Sequence, residues 1–262
     1  MFKLSISNIA WTVEHDHNVY SAMKSMEFKG VEIAPNRVFP TNPYANTVEA
    51  RMWSDSLFEE YGLIVPSIQA IWYGRTESLF GSDKEREILM CYTKRAIDFA
   101  EAIKCKNLVF GCPKNRAIPE GVDDEVAVQF FKSLGDYAHD HNTVIGMEAN
   151  PAIYNTNYIN TTKEALDLIA RVNSCGFKLN LDTGTMIHND EDISILNDSV
   201  GLINHVHISE PGLKAIRKRQ MHRELRDLLA GKYDNYISIE MSKDAGIEMV
   251  KQSMDYVREI FL

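Results

Sequence analysis

Four side chains able to bind a metal close four strand-like runs in the second half of this sequence. They are Glu148 in Gly-Met-Glu-Ala-Asn at 146–150, Asp182 in Asn-Leu-Asp at 180–182, His207 in His-Val-His at 205–207 and Glu240 in Ile-Ser-Ile-Glu at 237–240. Carboxylates are costly to bury unless a positive group accompanies them. If the four runs are parallel neighbours, the four side chains meet at one end of a sheet, and a single divalent cation satisfies them all. Three hard oxygens and one imidazole suit Mn²⁺, Mg²⁺ or Co²⁺, with Zn²⁺ as the alternative, and leave coordination positions for two substrate oxygens.

The elements that must position these residues follow from the apolar pattern. Short β-branched runs lie near 3–10, 30–34, 64–70, 107–112, 143–149, 176–182, 202–208 and 236–241, each followed by a longer amphipathic stretch. Their spacing of about 33 residues is the length of a strand, a helix and two loops. Ser82-x-x-Glu85 and Thr161-x-x-Glu164 are capping boxes that open two of the helices. Apolar stripes at Ile247, Val250, Met254, Val257 and Ile260, and earlier at Ile88, Leu89, Tyr92, Ala96, Phe99 and Ile103, face two helices onto a sheet. Eight such units predict a closed (β/α)8 TIM barrel in the α/β class, one domain over 1–262, with its active site at the C-terminal strand ends. An open doubly wound sheet is the alternative, but it calls for a Gly-rich first turn, and Trp11-Thr12-Val13-Glu14-His15 has no glycine.

Composition sets the outer limits. The chain has 262 residues, 45% of them hydrophobic, and a formal charge of −9, which disfavours a broad contact with a phosphate backbone. No nucleic-acid partner is expected. Cys91, Cys105, Cys112 and Cys175 are too dispersed for a metal knuckle, so reduced thiols are the expectation. The opening Met1-Phe2-Lys3-Leu4-Ser5-Ile6-Ser7 lacks the apolar core of a signal peptide, and no run reaches membrane-span length. A cytoplasmic protein without membrane contacts is expected.

The segments GMEANP at 146–151, LNLDTGTM at 179–186, HVHISEP at 205–211 and YISIEM at 236–241 resemble the xylose isomerase-like TIM-barrel superfamily. Its best-understood members are the ketose 3-epimerases, and endonuclease IV is a distant cousin. IQAIWYGRTESLFG at 68–81 and LVFGCPKNR at 108–116 also resemble a subgroup known only as sugar phosphate isomerase/epimerase. The resemblance implies that Glu148, Asp182, His207 and Glu240 are the metal ligands and that Glu148 and Glu240 are also the catalytic proton-transfer pair. One glutamate would remove the proton beside a sugar carbonyl, the cation would stabilise the enediolate, and the other glutamate would return the proton. The chain departs from the epimerase pattern at Thr185, where those enzymes have a substrate-binding histidine, and at Leu213, where they have an arginine. The chemistry therefore carries over more safely than the sugar.

Other residues are candidates for binding substrate. Gln69 lies at the end of the third run with Trp72 just after it, Glu32 lies on the second with the same facing, Trp11 follows the first, and Asn150 lies two residues beyond Glu148. Arg116, after the fourth run, is a candidate anion anchor, and the basic stretch 214–223 could steer a sugar phosphate or sugar acid. Within that stretch, His222 matches a position where relatives carry a histidine near the substrate. His205 shares the facing of His207 one layer deeper, which suits a supporting role behind the ligands. Lys178 has the parity of a Schiff-base lysine, but it sits about 13 Å below Asp182 at ~3.3 Å per residue.

The sequence thus predicts a metal-dependent isomerase or epimerase acting on a small sugar, with the basic stretch 214–223 allowing an anionic one. A lyase or dehydratase on the same scaffold is the alternative. An endonuclease IV-like phosphodiesterase is less favoured, because its zinc cluster needs histidines that the early runs lack, and a non-catalytic sugar-binding barrel is disfavoured by the intact glutamate pair. Barrels of this type often pair, so a homo-oligomer is an expected assembly.

Overall fold

Seven of the eight apolar runs pair as regular parallel strands in the computed structural model, which describes residues 2–262. They are β1 (Lys3–Ser7), β2 (Gly30–Glu32), β3 (Leu108–Phe110), β4 (Ile145–Met147), β5 (Phe177–Asp182), β6 (Ile203–Ser209) and β7 (Tyr236–Glu240). The order in the sheet is β2-β1-β7-β6-β5-β4-β3, with every neighbour parallel.

The eighth run, over 64–70, closes the circle without forming a regular strand. Ile64 bridges Gly30, while Ile68 bridges Ile33 on one side and Leu108 on the other. Pro66 explains the interruption, since it has no N–H to donate to a ladder. The neighbouring backbone still pairs, through Ile68 N to Asn107 O at 2.9 Å and Val109 N to Ile68 O at 2.8 Å. Gly30 is required opposite, because a Cβ there would stand 2.7 Å from the Pro66 ring.

The helices are α1 (Asp16–Ser25), α2 (Pro35–Val38), α3 (Thr47–Tyr61), α4 (Asp83–Ala102), α5 (Glu125–Asp140), α6 (Thr162–Val172), α7 (Thr183–His188), α8 (Gln220–Leu229) and α9 (Ile247–Phe261). Both capping boxes form, at Ser82–Glu85 opening α4 and Thr161–Glu164 opening α6. The apolar stripe of α9 is buried at Val250, Met254, Val257 and Ile260, and that of α4 at Leu89, Ala96, Phe99 and Ile103. The layer between helices and strands is aromatic. Trp72, Phe110, Phe130, Phe131 and Phe177 pack edge to face or stacked, with centroid distances of 4.7–6.0 Å.

The sheet is a curled parallel barrel of the TIM type, with helices outside and the C-terminal strand ends on one face. Among the described residues, no helix is long and apolar enough to cross a membrane.

Candidate active site

Parallel pairing delivers the four expected ligands to one rim. Asp182 is directly opposite His207, Ser209 is opposite Glu240, and Glu148 lies one residue beyond β4. His207 is the hub. Its Nδ1 is 2.9 Å from Glu148 Oε1 and 3.4 Å from Glu240 Oε2. One ligand atom from each of these three residues fits within a 4.8 Å group.

Asp182 stands beside the trio but outside that group. It caps α7, accepting from Gly184 N at 3.0 Å, Thr185 N at 3.2 Å and Thr185 Oγ1 at 2.9 Å, and it also accepts from the Ser209 hydroxyl. Its charge still reaches the cluster. Burial, reinforced by the charge of Glu148, pushes the Asp182 carboxyl up to about 6. Burial also pushes Glu240 up to about 7, with Glu148 and Asp182 opposing the pull of His207. Burial alone would lower His207, but the charges of Glu32 and Glu240 outweigh it and hold the imidazole well above its ordinary range.

Two buried carboxylates, Glu148 and Glu240, and the half-buried Asp182 beside one imidazole leave negative charge uncompensated. Among the described residues, no lysine or arginine nitrogen comes within 4.0 Å of the Glu148, Asp182 or Glu240 carboxylate. A hard dication fits this donor set, because it supplies the positive charge that the carboxylates lack.

Around the ligands, the structure reassigns several candidates. Glu32, expected to touch substrate, is fully buried, with Oε2 2.9 Å from His207 Nε2 and Oε1 accepting from Gln69 Nε2 at 3.1 Å. It faces the back of the histidine rather than open space. Gln69 is held there by Glu32 and by the Ser7 hydroxyl. His205 Nε2 lies 3.1 Å from the same Glu32 oxygen but off the line of a hydrogen bond, and it has no other partner. Asn150 sits beside Glu148, donating Nδ2 to its Oε2 at 2.9 Å.

Three candidates fall away from any substrate. Arg116 is the largest fully buried side chain, and it holds the rim from inside, with Nη2 donating to Glu148 O at 3.1 Å and Asn150 Oδ1 at 2.8 Å. An arginine sealed this way cannot anchor an anion. Trp72 donates its indole N–H to Thr93 Oγ1 of α4 at 2.7 Å and packs in the aromatic layer. His222 is buried between α8 and α9, its Nδ1 3.0 Å from the Tyr256 hydroxyl. In the basic stretch, Arg219 is taken up by Glu210. Trp11 does border open space: with Ile9, Thr12, Val13, Leu213 and Lys243 it lines a cleft of about 540 Å³ beside the β1 and β7 ends. Its indole N–H donates to Asp16 at 2.7 Å.

One contributor, Asn180, escaped the sequence reading, and Tyr154, out in the loop after β4, was the weakest of the substrate candidates there. Asn180 donates Nδ2 to Glu148 Oε1 at 2.9 Å, and its Oδ1 accepts from Asn107 at 3.2 Å. Its parity with Asp182, two residues on, was the available signal. Tyr154 reaches back from its loop, and its hydroxyl accepts from Gly212 N at 2.8 Å. Burial raises its phenol, and the charges of Asp182, Glu240 and Glu148 add to the rise, which marks the ring as a neighbour of the cluster.

A family model described as the xylose isomerase-like TIM barrel matches residues 20–260. Solved structures share the fold over nearly the whole chain at low identity. A D-psicose 3-epimerase with D-tagatose, from Clostridium cellulolyticum H10, is 14% identical with a TM-score of 0.77, covering 99% of both chains. A 3-keto-D-glucoside 4-epimerase from E. coli is 18% identical with a TM-score of 0.75, covering 99% of this chain and 100% of that one. A family 2 AP endonuclease from Brucella melitensis is 18% identical with a TM-score of 0.71, covering 94% and 96%. No curated protein sequence gives a significant match.

Proposed function

The chain belongs to the xylose isomerase-like TIM-barrel family, and on that premise we propose that it is a divalent-metal-dependent isomerase or epimerase of a small sugar. The observation that carries this reading is the pair of rim glutamates, Glu148 and Glu240, both facing Nδ1 of His207, with no lysine or arginine nitrogen within 4.0 Å of either carboxylate among the described residues. Glu148, Asp182, His207 and Glu240 would hold the cation. Once bound, it would supply Lewis acidity, polarising a substrate carbonyl so that the neighbouring C–H becomes acidic enough for a carboxylate to take.

The chain's own groups divide the remaining work. Glu148 is held at both oxygens, by Asn180 on Oε1 and Asn150 on Oε2. Among the described residues Glu240 has His207 alone within 4.0 Å as a charged neighbour, so it is the freer of the two to accept a proton from carbon. For Glu148 to return a proton from its own side, giving the inverted centre or the shifted carbonyl, it must start the cycle as the carboxylic acid; Glu240 then releases the proton it took to water and Glu148 takes one up, which resets the pair. Glu148 and Glu240 are only 7% and 8% exposed, which keeps bulk water from competing for the transferred proton.

The test is deuterium exchange in D₂O on a panel of ketoses and ketose derivatives, followed by NMR with and without Mn²⁺. The reading expects cation-dependent label at one carbon next to the carbonyl, with the substrate formula retained. Loss of water would move the protein to the lyases, and full exchange after chelation would remove the cation from the reaction.

A further inference from the structure

We propose that Glu32 is a positioning residue for the metal centre: its carboxylate takes the Nε2–H of His207, so that the ring presents Nδ1 alone to Glu148, Glu240 and the bound dication. The inference rests on the metal reading above.

The geometry supporting it is closed on every side. Glu32 and His207 are both fully buried, and Oε2 to Nε2 is 2.9 Å. β2 and β6 are not neighbours in the sheet, so the contact crosses the barrel interior and joins residues 175 apart in sequence. The Glu32 carboxylate cannot swing away, because Gln69 holds Oε1 at 3.1 Å and His205 flanks Oε2 at 3.1 Å. On the opposite edge of the imidazole, Nδ1 faces Glu148 Oε1 at 2.9 Å and Glu240 Oε2 at 3.4 Å. Asn180 Nδ2 lies 3.4 Å from the same Nδ1 and donates to Glu148 Oε1 at 2.9 Å, so it holds the carboxylate that shares this edge of the ring.

An imidazole that donates one N–H to a carboxylate is fixed in tautomer and ring angle, and its other nitrogen becomes a stronger metal ligand. Glu32 would therefore set cation affinity without touching cation or substrate. Sealed behind His207, it has no route to a sugar.

The experiment compares Mn²⁺ affinity by calorimetry in metal-free wild type, Glu32→Gln and Glu32→Ala, with circular dichroism to confirm folding. Glu32→Gln keeps an acceptor but loses the charge, and about tenfold weaker binding is expected; Glu32→Ala loses both, and the weakening should approach 100-fold. Folded variants whose affinity stays within about twofold of wild type would overturn the proposal. A second measurement needs no variant. In Zn²⁺-loaded wild type, long-range ¹H–¹⁵N correlation should show the His207 proton on Nε2, and a proton on Nδ1 would overturn the assignment. Wild type that takes up no dication would fail the metal reading itself, before any variant is compared.

Discussion

Glu148 and Glu240 share a chemistry but not a setting: two asparagines fix the first, whereas among the described residues the second has His207 as its one charged partner within 4.0 Å. Glu148→Gln and Glu240→Gln should each lower kcat by roughly 10²–10⁴ on the substrate found by exchange, the range expected for loss of general acid–base transfer. Asn150→Ala should cost about tenfold, because Asn180 still holds the other oxygen of Glu148; an effect as large as that of the glutamates would mean that Asn150 itself meets the substrate. The rim residues were legible because a period of two along a strand fixes which side chains face inward, and the ends of β5, β6 and β7 carry Asp182, His207 and Glu240 in that phase. Arg116, Trp72 and His222 were not legible as internal residues. Each has a side chain long or amphipathic enough to serve a pocket or a core, and whether a loop turns its residue inward depends on contacts with distant segments. Arg116 reaches the backbone of Glu148 and Ile159, and Trp72 reaches Thr93 on α4.

At the level of elements, the contact between α8 and α9 is pH-sensitive through His222. Burial pushes its imidazole down to about 4, and its Nδ1 meets Tyr256. The unfolded chain, with an ordinary histidine near ~6.5, binds more protons than the folded one between those values. The contribution is therefore flat above ~6.5, and stability falls as pH drops toward 4, by on the order of 3 kcal/mol in total. Urea unfolding of wild type and His222→Phe at several pH values should show a difference in stability that changes across this window. A constant difference would contradict a buried neutral histidine. The packing of α5 on β5 gives a second test. A Cβ on Gly176 would stand 2.0 Å from Gly135 O, a backbone atom with no flexible end to yield. Gly176→Ala should destabilise by about 3 kcal/mol or more in the same assay, and a change within ~0.5 kcal/mol would contradict that close approach. Periodicity and capping boxes showed most strands and helices. The stretch 64–70 read as a full strand because its apolar residues outweigh one proline, yet Pro66 reduces its pairing to isolated bridges.

Over the whole molecule, the fold gathers charge that the sequence scatters. Ligands from positions 148 to 240 converge because four consecutive strands are parallel neighbours, and the arrangement holds only if β2 and β3 are joined through the irregular segment to close the barrel. The chain has a net charge of −9, and the carboxylates of Glu32, Glu148 and Glu240 lie buried against one histidine. Chelation should therefore lower Tm, and adding Mn²⁺ should raise it in proportion to the logarithm of the free ion, because a ligand that binds only the folded state stabilises it by mass action. The pairing of Glu32 with His207 across the interior left no trace in local sequence, since neither residue's neighbours encode the other. The central claim is a single dication held by Glu148, Asp182, His207 and Glu240, and anomalous diffraction at the manganese edge from crystals soaked in Mn²⁺ tests it most directly. The account predicts one strong peak at the barrel rim, roughly 2.0–2.3 Å from an atom of each of those four side chains. A map with no peak there, or with the carboxylates turned toward lysines or arginines instead, would contradict it.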